Sequence, residues 1–598
     1  MKTINKIFAA LIAVSGLFCV SCNDALFLEE KAESFYTVDN IFSSSEQVNQ
    51  VLTTCYHRVR NMYCPYNNSS ELKTWNYSMG NGTDLFDVPT FRYSYRFNDY
   101  SIINPESDYF KSVYCDFYYL INSANTAISL ADNENIKWES EEKKAYIIAQ
   151  ARFFRAFAYR NLGELFGGVP IVTEPTDEPR YDYERTTRME TYDFAIKEME
   201  EIVGQFPATT AEAGRLVKGA VQHNLCQLYL SKGLLCEKEG GDAEAAYQKA
   251  LSYANDVIDG GTYHLMTERF GSRMNEGPEF YCATSRADQI PENSYTAAGH
   301  PIEGNVYWDL WQIGNQDYQE GNFESIWTAQ SDYNLWKTAE RNNNKYCLDY
   351  PAIYGPVFRD QASAFVSGNL EDVGGFGMSQ ICPTDYLRDG IYRDKWGEDM
   401  RNSEAVLHRI ILGSVKSSPY FGQVVPWDAF YRVDETGKPD DAAYTALYPI
   451  SCKIGPDKYA MKEMGSNLRS IFRDDYLIRL PETILLRAEV KMRLGDNGGA
   501  ANDINMLRTR SQCSYLVNSG DVSMDLILDE RARELVYEES RWNTLLRISG
   551  EYARERVRKY AYWDYSATFA NATWDVWPIP QSVIDTNKDV EIKQNPGW

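Results

Sequence analysis

From Ala145 to Val172 the chain reads AYIIAQARFFRAFAYRNLGELFGGVPIV. Ala149, Phe153, Ala156, Phe157 and, one turn on, Arg160, Asn161 and Leu162 put small and aromatic residues on one face at helical spacing. Small residues admit a neighbouring helix at close range, and Phe153, Phe157 and Phe166 fill the gaps between larger side chains. Gly167 and Gly168 stop the helix, and Pro170 keeps it from resuming. A helix that is apolar on more than one side must sit inside an array of helices, so this stretch commits the chain to a helical scaffold.

The rest of the chain supplies that array. Asn40–Met62 reads as a helix through Val48, Val51, Leu52, Cys55 and Val59, and Tyr114–Leu130 as its successor and the hairpin partner of the central stretch. Thr186–Phe206 carries Tyr192, Ala195, Ile196 and Met199 and ends at Pro207. Gly219–Leu235 and Ala243–Ile258 form the clearest hairpin, with a small/large alternation like that of tetratricopeptide repeats. Pro481–Leu494 and Ala500–Arg510 repeat the theme around the turn GDNGG, and Leu526–Leu546 reads as one further helix. The intervals are irregular, so the expected fold is mostly α, tetratricopeptide-like rather than a regular solenoid.

Between about Tyr263 and Ser470 helical runs shorten while Gly, Asn and Pro rise. Tyr307-Trp308, Trp311, Trp327, Tyr333, Trp336, Tyr346, Tyr350 and Tyr354 cluster there, and so long an irregular, aromatic-rich lobe marks a functional region. Trp308 and Trp327 alternate with Leu310 and Ile326 and read as core. Residues 63–109 also read as loop. With 43 Tyr against 26 Phe the chain is rich in rings with a polar tip, which suit half-wet binding platforms. A net charge of −25 argues against nucleic acid as a partner.

The chain opens MKTINKIFAALIAVSGLFCVSC: two lysines, then an apolar run from Ile7 to Val20 too short to span a bilayer comfortably. Residues 1–21 read as a secretory signal, and Val20-Ser21-Cys22 resembles a bacterial lipoprotein cleavage site that leaves Cys22 as the acylated, palmitate-bearing N-terminus; Cys19 stands where such sites usually carry Leu. Plain secretion is the other reading. Cys55 and Cys64 could bridge in an oxidising compartment, or remain buried thiols.

Several blocks together resemble the SusD/RagB family of outer-membrane nutrient-binding lipoproteins. The central stretch resembles that family's long N-terminal helix and its Gly-x-x-Pro exit. RLPETILLRAEVKMRLGDNGGAANDINMLRTRS resembles its late hairpin, and ILDERARELVYEESRWNTLLRI its recurring Glu-Arg segment. WPIPQS followed by QNPGW resembles its chain ending, and NFESIWTAQSDY and PTDYLRDGIYRDKW bracket its variable region. The resemblance implies residues 22–262 as an N-terminal helical domain, 263–470 as a variable ligand-binding lobe and 471–598 as a C-terminal helical region. It further implies a lipid-anchored protein of the cell outer membrane that captures oligosaccharides, or in some members peptides. Such proteins work as a lid over a SusC-like TonB-dependent transporter, without cofactor or chemistry.

Sugars present apolar faces for stacking and hydroxyls for directional hydrogen bonds. Trp75-Asn76-Tyr77 with Tyr93, Tyr95 and Asn98 has the matching composition, as does Trp336 with Asn342–Asn344, Tyr346, Tyr350 and Tyr354. The candidate ligand contacts are Trp75, Tyr77, Tyr93, Trp336 and Tyr350. A secreted glycosidase is the rival class, with Glu324 beside Trp327 as its most tempting acid and a solvated or capping role as the plain alternative. The chain has five His and lacks HExxH, GxSxG and GxxxxGK[ST], and no metal-ligating spacing stands out. In the charged run Asp529–Arg541, Glu530 with Arg533 and Arg533 with Tyr537 or Glu538 read as helix-surface pairs.

Overall fold

The structure, a computed structural model, describes residues 44–63, 80–88, 99, 102–176, 178–278, 281–282, 302–331, 350–356, 370–371, 377–393, 396–413, 415, 417–421, 423–426, 447–455, 471–561 and 572–598. It is mostly α. Helices α1 (Ser45–Tyr63), α2 (Asp108–Ala131) and α3 (Glu141–Phe166) pack side by side, and α4 (Arg188–Ile202) covers the other flank of α3. The α3 N-terminus is capped by the Ser140 hydroxyl, which accepts from the Lys143 N–H, and its far end stops at Gly167 with φ 76°. From Ala149 to Phe166 nearly every residue is buried, as its apolar circumference predicts. Gly163 makes room for α4: a Cβ there would lie 2.7 Å from Tyr192 Cε1.

Two further hairpins follow. In the first, α5 (Lys218–Glu239) packs on α6 (Ala243–Ile258), whose N-cap Asp242 accepts from the Ala245 N–H. Gly233 allows the approach, since a Cβ would stand 2.3 Å from Tyr247 Cε1. In the second, α7 (Leu480–Arg493), entered through Pro481, pairs with α8 (Asn497–Arg510) and also packs on α6.

The expected single helix over Leu526–Leu546 is two helices. α9 (Met524–Leu535) and α10 (Arg541–Ile548) are separated by an extended Val536 and by Tyr537 at φ 68°, and α11 (Gly550–Tyr560) follows. The interruption has distant causes. The Lys453 ammonium donates to the carbonyls of Glu534 and Val536 at 2.7 and 3.3 Å, turning them out of the helical ladder. The Tyr537 ring packs on Phe86 and Tyr354.

Strands are short. β1 (Phe86–Asp87) and β2 (Ser325–Ala329) pair antiparallel with β3 (Cys382–Pro383) and β4 (Asp475–Arg479) respectively. The β2–β4 register runs from Ser325↔Arg479 to Ala329↔Asp475, with a bulge around Trp327. Trp327 is core, as its spacing predicts: its ring sits 5.6, 6.1 and 5.8 Å from those of Phe153, Phe154 and Phe157. Trp308 is buried too, under the guanidiniums of Arg269 and Arg273. Cys55 is a buried thiol whose pKa burial pushes up to about 12; Cys64 lies outside the described residues.

Candidate functional site

Residues 80–88 form a buried strap against the C-terminal helices. Its centre is Asp84, whose carboxylate accepts from Arg541 at 2.9 and 2.7 Å and from Arg556 at 2.9 Å. Burial opposes ionisation of Asp84, but the two guanidiniums outweigh it and hold the carboxyl below the usual carboxylate range. The Trp542 indole donates to the Asn81 carbonyl at 2.7 Å, and the Thr384 N–H to that of Leu85 at 2.9 Å. Thr83 and Asp87 bond within the strap, to Gly80, Leu85 and Val88, while Asp84 and the Asn81 and Leu85 carbonyls tie it to the scaffold.

Beside the strap lies a cavity walled by Tyr63 from the end of α1, Gly80, Phe86, the helical turn Tyr350–Tyr354, Asp475 and Tyr537. Phe86, Tyr354 and Tyr537 form a ring triangle with centroids 4.9 to 5.3 Å apart. The cavity measures about 20 Å³, room for a water and far short of a sugar ring. Tyr350 is buried there, packs on Tyr354 and donates its hydroxyl to Asp475. It occupies an anchoring position rather than offering an exposed stacking face. Burial, only partly offset by the Tyr350 hydrogen bond and by Arg473, raises the Asp475 carboxyl to about 6.

Trp75, Tyr77, Tyr93 and Trp336, and the lipidation residue Cys22, lie outside the described residues. What the structure brings together are described residues that flank those aromatics in sequence. Tyr63 and Gly80, which flank the Trp75 and Tyr77 segment, line the same cavity as Tyr350, which closes the Trp336 segment. Val88, which precedes the Tyr93 segment, directly follows β1 on that cavity's wall.

Glu324, the acid that invites a catalytic reading, is not among the residues lining that cavity and is fully engaged. Glu324 is neither solvated nor a cap: it is completely buried, accepting from the Met266 N–H at 2.8 Å, from Arg479 at 2.7 Å and from Arg510. Arg479 also bridges to Glu534 and Glu538, and Arg401 joins Glu530, Glu534 and Asp399. Arg508 and Arg533 close on Glu530 at 2.9 and 3.0 Å. Burial works against the charge on Glu534, but Arg510, Arg479 and Arg401 prevail and lower its pKa to about 2. The Glu530–Arg533 pair therefore exists with the expected three-residue spacing, but inside the protein instead of on a helix surface. Sequence spacing carries the pair; nothing in it carries the burial, which depends on Arg508 of α8, on Arg401 and on the Trp396 ring.

Residues 452–598 match the model of the SusD family, and residues 26–230 match that of a family described as starch-binding, associating with outer membrane. A SusD-like protein of Bacteroides ovatus is 23% identical over 273 residues, spanning 45% of this chain and 47% of that protein. SusD-like protein P2 of Formosa agariphila is 24% identical over 445 residues, 72% of this chain and 70% of its own. The chain thus spans about half the length of the first of these relatives and 70% of the second. Among solved structures, a SusD homologue from Bacteroides thetaiotaomicron superposes with a TM-score of 0.65 at 16% identity, covering 95% of this chain and 100% of that one. Surface glycan-binding protein A from the same organism, in complex with laminarihexaose, gives 0.61 at 17% identity over 92% of this chain and 99% of its own. A laminarin-binding SusD-like protein gives 0.60 at 19% identity, with 93% and 100% coverage. At these identities the likeness establishes the fold.

Proposed function

The chain belongs to the SusD family, and from that premise we propose that it is a carbohydrate-binding protein of the outer membrane that captures an oligosaccharide for import. The observation that carries this reading is the convergence at one cavity of the residues flanking two aromatic-bearing segments, those of Trp75 and of Trp336. On this reading Trp75, Tyr77, Tyr93 and Trp336 stack on sugar faces, and Tyr350 positions the Trp336 segment through Asp475. The glycan ligands of two proteins of the same fold support the ligand class. Glu324, the acid that most invites a hydrolytic reading, is buried and ion-paired to Arg479 and Arg510, which supports capture without hydrolysis.

The finer parts of the reading are an acyl anchor on Cys22, a variable lobe over residues 263–470, and delivery to a SusC-like TonB-dependent barrel. A Cys22→Ala variant that stays with the membrane fraction would remove the anchor. Affinity should be modest, because each stacked ring adds about 0.5–1.5 kcal/mol beyond burial and much water stays in place, so Kd in the tens of micromolar or weaker is expected.

The test is an affinity-gel and glycan-array screen of the chain from Asn23 onward, with starch and laminarin among the polysaccharides. Retention by one polysaccharide class, weakened about tenfold by Trp75→Ala or Trp336→Ala with an unchanged circular dichroism spectrum, is the expected result. Absence of retention on every glycan, or shortening of the retained glycan on long incubation, overturns it.

A further inference from the structure

A second cavity, of about 40 Å³, lies where the two family segments meet. Arg160 and Asn161 of α3 and His223, Asn224 and Gln227 of α5 face it from one side; Glu482 of α7 and residues from Glu538 to Thr544 face it from the other. Apolar side chains, Phe157, Trp327 and Ile478, complete the wall, and its polar groups are buried: Arg160 is 5% exposed, Asn224 1% and His223 2%. Two wall atoms have no hydrogen-bond partner among the described residues, Arg160 Nε and Asn224 Oδ1. The other ends of both side chains are engaged, Arg160 with Glu164 at 3.2 Å and Asn224 with the Ala220 carbonyl at 2.9 Å.

We propose that this cavity is a built-in hydration site, holding a small cluster of ordered waters that accepts from Arg160 Nε and donates to Asn224 Oδ1. The polarity of the two orphaned atoms selects the ligand. One is a donor and the other an acceptor, and water satisfies both. A halide would satisfy Arg160 but face Asn224 Oδ1 and the carboxylates of Glu482 and Glu539; a metal cation would satisfy those oxygens but face the guanidinium. His223 adds no charge, because burial, with Arg160 and Arg531 nearby, lowers its pKa to about 3, and its Nδ1 is engaged by Thr483 Oγ1 at 2.8 Å. The volume admits about two or three waters. Leaving both atoms dry would impose the cost of unsatisfied buried polar groups on the joint between the two halves.

Crystals of the full chain, at a resolution that shows ordered solvent, test this directly. The expected density is a water cluster within hydrogen-bond distance of Arg160 Nε and Asn224 Oδ1. An empty cavity overturns the proposal, as does an anomalous peak there after a bromide or rubidium soak, which would make it an ion site. Thermal unfolding of Asn224→Leu, close in shape but without the acceptor, is the second arm. A fall in Tm of several degrees is expected, and an unchanged or higher Tm counts against an integral role for the water.

Discussion

Two buried aspartates beside the candidate site are driven in opposite directions. Asp84 is held ionised by Arg541 and Arg556, so Asp84→Ala leaves two buried guanidiniums without their counter-charge. A loss of about 3–5 kcal/mol in denaturant-derived stability is expected. Asp475 is pushed the other way, to about 6, mainly by burial. A carboxyl whose folded pKa lies above its unfolded value of about 3.9 gives its full stabilisation below that value and loses it as pH rises through the folded pKa. Asp475→Asn keeps an acceptor for the Tyr350 hydroxyl but does not titrate. Its stability should therefore fall less than that of the parent between pH 4 and 6, read as denaturation midpoints at matched pH; parallel curves would show that Asp475 does not titrate in that window. Neither aspartate could be singled out from sequence. Asp84 sits in a loop-like stretch, and its partner Arg541 is 457 residues away. Trp327 was legible because its apolar neighbours alternate with it locally.

Among the elements, the hairpins were legible wherever small residues recur at helical spacing, because the spacing itself encodes the close approach. Gly233 tests that directly. Alanine is the better helix former by about 1 kcal/mol, yet its Cβ would collide with Tyr247, so Gly233→Ala should destabilise by about 1–3 kcal/mol. Gly204→Ala, with nothing within 4 Å of the added carbon, is the control expected to leave Tm almost unchanged. The break between α9 and α10 was not legible. No glycine or proline marks it, and a single polar turn, Glu538–Arg541, is compatible with a continuous helix. Lys453 and the Phe86–Tyr354 pair, which enforce it, come from remote parts of the chain. The same limit hides the candidate site, whose walls are assembled from α1, β1, β4 and the turn at Tyr350.

At the level of the whole molecule, charge is concentrated inside as well as outside. Glu530 and Glu534 both titrate below their ordinary range: burial opposes their charge, but the surrounding arginines outweigh it. Groups depressed in this way stabilise the fold above the unfolded pKa, and that contribution disappears as pH falls through the folded value. Far-ultraviolet circular dichroism should therefore show cooperative unfolding on acidification between about pH 4.5 and 2. Because the pairs are shielded from solvent, about 1 M NaCl should move that transition little. A transition that shifts strongly with salt would place the decisive charges at the surface instead. The β2–β4 ladder sets a further property of the molecule. Ala329 and Asp475 are partners across it, so residues 330–474 leave and re-enter the scaffold at adjacent points. Closure entropy grows only slowly with loop length, so an excursion with a fixed neck can lengthen, shrink or be replaced at little thermodynamic cost. Such an excursion could then be rewritten between its fixed points: the Tyr350–Tyr354 turn, the β3 pairing with β1, and the cations Arg401 and Lys453 that rivet it to α9.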